Sequence, residues 1–208
     1  MTRTRRGPVL WIALVLLTLP APAAASEVEM SRPEGHPRGR FPLAVYVAPT
    51  ADPAQEAAVK RAVNDWNSVF RSALGIAAFR WATRADEAAV SIALSARTSA
   101  RLMGETEIGA DDNGVIELPV RITLLEPAAR GQTSRETLLY EVAAHELGHA
   151  LGLPHISEPR SVMCCVWGSL DFKDPAVRAA YIEGRRHPDL RTVEAQLTAH
   201  YAAFWKAP

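Results

Sequence analysis

The pattern of apolar and polar positions predicts short strands and helices from residue 41 onward. A run of β-branched and aromatic residues predicts a first strand over 41–47. Asp52 followed by Pro53 is typical of a helix start, with Asp52 as the N-cap. Apolar residues then recur at helical spacing to Leu74, and Gly75 ends the segment. Four further strands are predicted over 77–82, 90–94, 104–108 and 115–125.

The last two predicted strands are joined by an acidic turn, Asp111-Asp112-Asn113-Gly114. Its acidity is compatible with a calcium loop, but the further spaced acids of an EF-hand are missing. Asn-Gly between two strand patterns is a strong hairpin signal, so we predict a hairpin turn.

The strongest helical pattern runs from Thr133 to Leu151. Thr133 and Glu136 have the spacing of a capping box. One stripe of this helix contains Leu138, Val142, His145 and His149. Residues 156–172 have an irregular pattern, and residues 188–206 form a final amphipathic helix pattern.

The first 25 residues have the features of a secretory signal peptide. Three arginines precede an apolar run over residues 9–19, and Ala23-Ala24-Ala25 supplies a cleavage site, which predicts cleavage after Ala25. The alternative is a retained membrane anchor, but the run is roughly half the length of a membrane-spanning helix. We therefore predict a secreted or periplasmic protein with no stable membrane insertion after cleavage.

Residues 26–40 contain prolines and glycines among charges and predict a flexible leader, so one folded domain would occupy residues 41–208. The formal net charge is zero, and no basic run lies outside the signal peptide. Nucleic acid is therefore a poor candidate partner. We expect a monomer.

The two cysteines, Cys164 and Cys165, are adjacent. A trans peptide bond holds neighbouring Cα atoms about 3.8 Å apart, below the usual disulfide range. We therefore expect no stabilising cross-link. A strained vicinal bond, a free thiol pair and an intermolecular bond remain open.

The chemistry of the chain is concentrated in residues 145–155, which read H-E-x-x-H-x-x-G-x-x-H. His145 and His149 are one helical turn apart, so their imidazoles can bind one zinc ion. Glu146 is placed to act as a general base toward a water that the zinc acidifies. Gly152 allows a sharp turn, after which His155 can supply a third ligand. Three protein ligands and one open position are typical of catalytic zinc.

This motif, together with Met163, resembles the active-site signature of the metzincin zinc endopeptidases, and it is most similar to the matrixins. The resemblance implies Zn²⁺ held by His145, His149 and His155, Glu146 as the catalytic residue, and Met163 in a Met-turn beneath the histidines. It implies an α+β fold with a twisted mixed sheet, an active-site helix, the Met-turn and a C-terminal helix. It also implies that residues 41–208 are a catalytic domain that hydrolyses peptides or proteins.

The resemblance further implies that an edge strand pairs with an extended substrate, and residues 104–109 are the candidate. A wall of the cleft would follow over residues 166–170, where Trp167 either lines the primary pocket or packs in the core. The chain departs from matrixins after the third histidine, where Ile156 replaces the usual serine, and after Met163, where the two cysteines stand. A thiol at Cys165 could reach the metal, but burial as a small apolar residue is the commoner behaviour of cysteine.

Three alternatives remain open from the sequence. In a thermolysin-like site the third ligand would be a downstream glutamate such as Glu183 or Glu194, although the position of His155 argues against it. A catalytically silent, zinc-containing module could instead bind a protein. A globular domain without metal is the third. His36, His187 and His200 are interpreted as solvated or capping residues rather than ligands.

Overall fold

The computed structural model describes residues 33–96, 103–126, 133–165 and 168–206. The predicted signal peptide lies outside these residues. The described chain contains one five-stranded sheet, with strand order β2-β1-β3-β5-β4. Its strands are β1 Leu43–Val47, β2 Phe79–Trp81, β3 Val90–Ser95, β4 Gly104–Glu107 and β5 Val120–Leu125.

The sheet is mixed, and its one antiparallel strand is at an edge. β1 pairs in parallel with β2 and β3, and β3 pairs in parallel with β5. β4 pairs antiparallel with β5, with Gly104 opposite Leu124 and Glu107 opposite Arg121. The expectation that residues 104–109 include an edge strand is therefore confirmed for β4.

Four α-helices accompany the sheet: α1 Pro53–Leu74, α2 Arg135–Ala150, α3 Pro175–Arg186 and α4 Glu194–Phe204. This order of strands and helices is the expected α+β arrangement with a twisted mixed sheet, an active-site helix and a C-terminal helix. Among the described residues, no helix is both long enough and apolar enough to cross a bilayer.

The ends of α1 agree with the sequence prediction, and the start of α2 does not. The Asp52 carboxylate accepts a hydrogen bond from the N–H of Ala54, and Gly75 ends α1 at φ 74°. At α2, the N-cap is Ser134, whose hydroxyl accepts from the N–H of Thr137. The predicted capping box of Thr133 and Glu136 is therefore wrong by one residue, because Ser134 takes the N-cap position.

The predicted hairpin is present, but its second strand is shorter than expected. Asp111 accepts hydrogen bonds from the N–H groups of Asn113 and Val115, and Gly114 has φ 75°. β5 begins only at Val120 because Pro119 cannot donate to a ladder. The Asp111 carboxylate is thus occupied in forming the turn.

The C-terminal region contains a helix that the sequence prediction omitted. α3 begins as α1 does, with an aspartate N-cap, Asp174, followed by proline. None of its residues is buried. The helix predicted over residues 188–206 is present, but it starts with a 3-10 turn, Leu190–Val193, before α4.

The core lies between the sheet and the helices α1 and α2, which pack against each other. Trp66 of α1 is fully buried, and its Nε1 donates to the main-chain oxygen of Ala144 in α2, 2.9 Å away. Phe70 of α1 contacts Tyr201 of α4, and Tyr201 donates to the main-chain oxygen of Leu151. The C-terminal end of α2 is thus held from two sides.

The segment just before β1 is packed rather than flexible. Gly35 exchanges main-chain hydrogen bonds with the hairpin, donating to Gly114 and accepting from Ile116. His36 is fully buried, and its Nε2 donates to the main-chain oxygen of Ala150 at the end of α2. The flexible-leader prediction therefore fails for the described residues 33–40, and His36 is a buried helix cap rather than a solvated residue.

A buried ion pair connects α3 to α2. The Arg185 guanidinium donates to the Glu141 carboxylate, which is only 2% exposed, and also to the main-chain oxygen of Ser161. Because removal of one partner leaves a buried charge unpaired, it costs about 3–5 kcal/mol. Replacement of both partners by apolar residues costs much less.

We predict that Arg185→Leu lowers the free energy of unfolding by about 3–5 kcal/mol in urea titration, and that Glu141→Leu in the same chain restores most of it. Arg80→Leu, at an exposed position of β2, is the matched control and should change stability by less than about 0.5 kcal/mol. Equal losses in the single and double variants would contradict this account.

Candidate metal centre

Three imidazoles converge at the C-terminal end of α2. The Nε2 atoms of His145 and His149 are 3.1 Å apart. The chain turns at Gly152 and brings His155 back, so that its Nε2 lies 3.0 Å from that of His145 and 3.1 Å from that of His149. Within the residues that the structure describes, this is the one group of three or more metal-ligating side chains close enough to share an ion.

The spacing of these nitrogens fits zinc. Ligands at about 2.0 Å in tetrahedral geometry lie about 3.3 Å from each other, close to the observed separations. Three imidazole lone pairs that face one another repel unless a cation or a proton lies between them. The donor set therefore suits a metal ion with three histidine ligands.

Main-chain oxygens fix the tautomer of two of the histidines. Nδ1 of His145 donates to the main-chain oxygen of Val162 at 2.7 Å, and Nδ1 of His149 donates to that of Leu153 at 2.9 Å. A proton on Nδ1 leaves the Nε2 lone pair available to a metal, and it also orients the ring.

Electrostatics favour neutral imidazoles here. Burial lowers the pKa of His145. Burial, followed by the neighbouring His145 and His155, lowers the pKa of His149 to about 3. A neutral imidazole is the form that binds zinc, so the site does not need to lose a proton from His149 at neutral pH before binding.

Gly152 makes the turn at a position that no side chain could occupy. Its φ is 85°, in the left-handed region, and a Cβ there would overlap the main-chain oxygen of Glu34. The close approach of Glu34 and the cap from His36 show that the segment before β1 helps to shape the turn that carries His155.

Met163 lies beneath the active-site helix. It is fully buried, and its sulfur packs where a side chain on Gly148 would otherwise be. Its main-chain oxygen accepts a hydrogen bond from the N–H of Ile156 at 2.9 Å. Met163 thus connects the helix that carries His145 and His149 to the residue that follows His155.

Glu146 lies against β4 and is 6% exposed. The Thr106 hydroxyl donates to its Oε2 at 2.5 Å. Burial raises the pKa of Glu146 to about 7, and the hydrogen bond from Thr106 opposes that rise.

The two glutamates considered as alternative third ligands are elsewhere. Glu183 is an exposed residue of α3 beside His187. Glu194 begins α4, and its carboxylate accepts a hydrogen bond from Ser72 of α1. Neither belongs to the histidine group, so the geometry favours His155 over a thermolysin-like arrangement.

Comparison with known proteins agrees with this geometry. The matrixin family model matches residues 77–179, about half of the chain, and this range includes β4, α2 and Met163. The chain belongs to the matrixin family. Matrixins are zinc-dependent metalloproteases.

The chain is also similar to macrophage metalloelastase from the rabbit, Oryctolagus cuniculus. The two are 44% identical over 48 residues, which are 23% of this chain and 10% of the rabbit protein. The chain therefore matches about a tenth of the length of this curated relative.

This matrixin has an unusual segment after Met163. Cys164 and Cys165 form a vicinal disulfide, and the peptide bond between them is cis. The vicinal bond is one of the three arrangements that the sequence leaves open for these cysteines. Trp167 and Val166, considered for the wall of the specificity pocket, lie outside the described residues.

Several residues at the site were not identified from the sequence. Gly104 and Thr106 contact Glu146, Gly148 makes room for Met163, and His36 caps α2. Gly148 stands inside the histidine motif, where a glycine in a helix signals close packing. The others are distant in sequence and show no local pattern.

We predict that Gly152→Ala lowers both the thermal midpoint and zinc retention, because a Cβ at positive φ overlaps Glu34 and displaces His155. Differential scanning calorimetry and metal analysis after dialysis would measure both effects. Gly39→Ala is the matched control, since nothing lies within 4 Å of a Cβ there. Unchanged zinc retention in Gly152→Ala would contradict the proposed role of the turn.

Proposed function

We propose that this chain is an exported zinc endopeptidase, in which His145, His149 and His155 bind Zn²⁺ and Glu146 is the general base. The observation that carries the proposal is the convergence of three histidine Nε2 atoms within 3.1 Å of one another. His145 and His149 lie on α2, where Glu146 directly follows His145, and His155 lies beyond the turn at Gly152. Three protein ligands leave a fourth position for water, as in catalytic rather than structural zinc sites.

In the proposed mechanism, a zinc ion held by His145, His149 and His155 would supply Lewis acidity to a water and to the substrate carbonyl. Glu146 accepts the proton of the attacking water on its carboxylate and can deliver it to the leaving amine. Its burial against β4 and the contact with Thr106 hold the carboxylate in one place. The main-chain acceptors Val162 and Leu153 keep the two helical histidines oriented.

An extended peptide is the substrate form that the edge strand favours. β4 has β5 on one side only, and an edge strand can pair with a peptide through main-chain hydrogen bonds. Leu125 donates to Met103, so the odd-numbered residues of β4 face β5. The main-chain groups of Gly104 and Thr106 then point to the side where a substrate strand would lie.

We further propose that residues 1–25 are a signal peptide and that the folded catalytic domain is a secreted or periplasmic monomer. The basic start, the short apolar run and the Ala23-Ala24-Ala25 site support this assignment. The folded domain begins before residue 41 in this proposal, because residues 34–36 pack on α2 and the hairpin.

We predict that mass spectrometry of the exported protein finds an N-terminus at residue 26. An intact Met1 would contradict the signal-peptide assignment.

We predict that His155→Ala loses bound zinc, because two imidazoles cannot complete a catalytic site. Metal analysis after dialysis measures the loss, and His187→Ala is the matched control because His187 is exposed at the end of α3. Normal zinc content in His155→Ala would refute the ligand assignment.

We predict that Glu146→Gln keeps zinc but reduces cleavage of a quenched-peptide library by at least about a hundredfold, because a general base contributes about 10²–10⁴ to the rate. Glu183→Gln is the control, and its activity should equal that of the wild type. If the wild type and Glu146→Gln both bind zinc but neither cleaves peptides, the result would support a protein-binding module instead.

A further inference from the structure

The carboxylate of Glu146 lies in a cradle formed by two residues of the edge strand. A Cβ on Gly104 would lie 2.6 Å from Oε1 and 2.7 Å from Cγ of Glu146. The absence of a side chain at Gly104 is therefore what allows the glutamate to lie flat on β4. Two positions along, on the same face of the strand, Thr106 reaches the other oxygen of the carboxylate.

The contact with Thr106 is short and buried. Its hydroxyl oxygen lies 2.5 Å from Oε2 and 3.2 Å from the main-chain oxygen of Glu146, and Thr106 is 5% exposed. A hydroxyl carries one proton, and a carboxylate is the stronger acceptor, so the proton belongs to the shorter contact. This hydrogen bond occupies a lone pair of Oε2, so Oε1, which lies above Gly104, is the oxygen with the freer lone pairs.

We propose that Thr106 is a positioning residue for Glu146, and that Gly104 provides the space in which it acts. This inference rests on the proposed role of Glu146 as the base. The Thr106 hydroxyl holds one carboxylate oxygen, so that the other keeps a constant direction toward the attacking water. Because Thr106 belongs to the strand that would pair with the substrate, the same residue sets the position of the peptide and of the base.

The test compares Thr106→Val with Thr106→Ser. Valine has the shape of threonine without the hydroxyl, whereas serine keeps the hydroxyl. We expect Thr106→Val to lower kcat by roughly 10- to 100-fold, the cost of a misplaced catalytic group, with KM unchanged. Thr106→Ser should retain most of kcat. Thr123→Val, the same change on the opposite face of β5, is the matched control and should match the wild type.

A second readout does not depend on cleavage. In protein labelled with ¹³C-glutamate, the carboxyl resonance of Glu146 is identified by its loss in Glu146→Gln. We expect Thr106→Val and Gly104→Ala to move this resonance, the first by loss of the hydrogen bond and the second by displacement of the carboxylate. Thr106→Ser should leave it close to its wild-type position.

The outcomes separate this inference from the proposed function. Equal kcat values for Thr106→Val and Thr106→Ser would overturn the positioning role. The same conclusion would follow if the Glu146 carboxyl resonance were identical in the wild type and in both variants. A wild-type protein that binds zinc but cleaves no peptide would defeat the proposed function, and the resonance would still decide whether the Thr106 hydroxyl holds the carboxylate.

Discussion

The structure depends on one constraint, which is that three imidazole nitrogens must face a common point. Lone pairs so arranged repel one another, so the surrounding protein has to impose the arrangement, and a bound cation would compensate for it. Two of the rings are spaced by a helical turn, and main-chain oxygens of Val162 and Leu153 orient them. The third depends on the turn at Gly152, and that turn depends on elements distant in sequence.

The rest of the fold can be understood as support for the end of α2. Trp66 binds the main-chain oxygen of Ala144, His36 binds that of Ala150, and Tyr201 binds that of Leu151. Met163 packs under Gly148, and the pair Arg185–Glu141 fixes Ser161 two residues earlier in the same loop. The interactions come from α1, the N-terminal segment, α4 and α3, so each of the other three α-helices of the described chain contributes to the position of the histidines.

Local patterns predicted most of the secondary structure and the histidine group, for identifiable reasons. The motif over residues 145–155 encodes much of its geometry, since helical spacing pairs His145 with His149 and Gly152 permits the turn toward His155. The segment before β1, which is distant in sequence, helps to shape that turn. Asp52-Pro53 and Gly75 likewise determine the ends of α1 through local chemistry. α3 was missed because its residues are hardly buried, although Asp174-Pro175 has the same start signal as α1. The roles of Thr106 and His36 could not be predicted, because they arise from tertiary contacts with residues 40 and 114 positions away.

The most direct test of this account is a crystal structure of the zinc-loaded protein with anomalous data at the zinc edge. We expect one zinc ion bound by Nε2 of His145, His149 and His155 at about 2.0–2.1 Å, with a water as the fourth ligand. A fourth protein ligand closing the site, such as a cysteine sulfur at about 2.3 Å, would contradict it, as would zinc bound elsewhere in the chain.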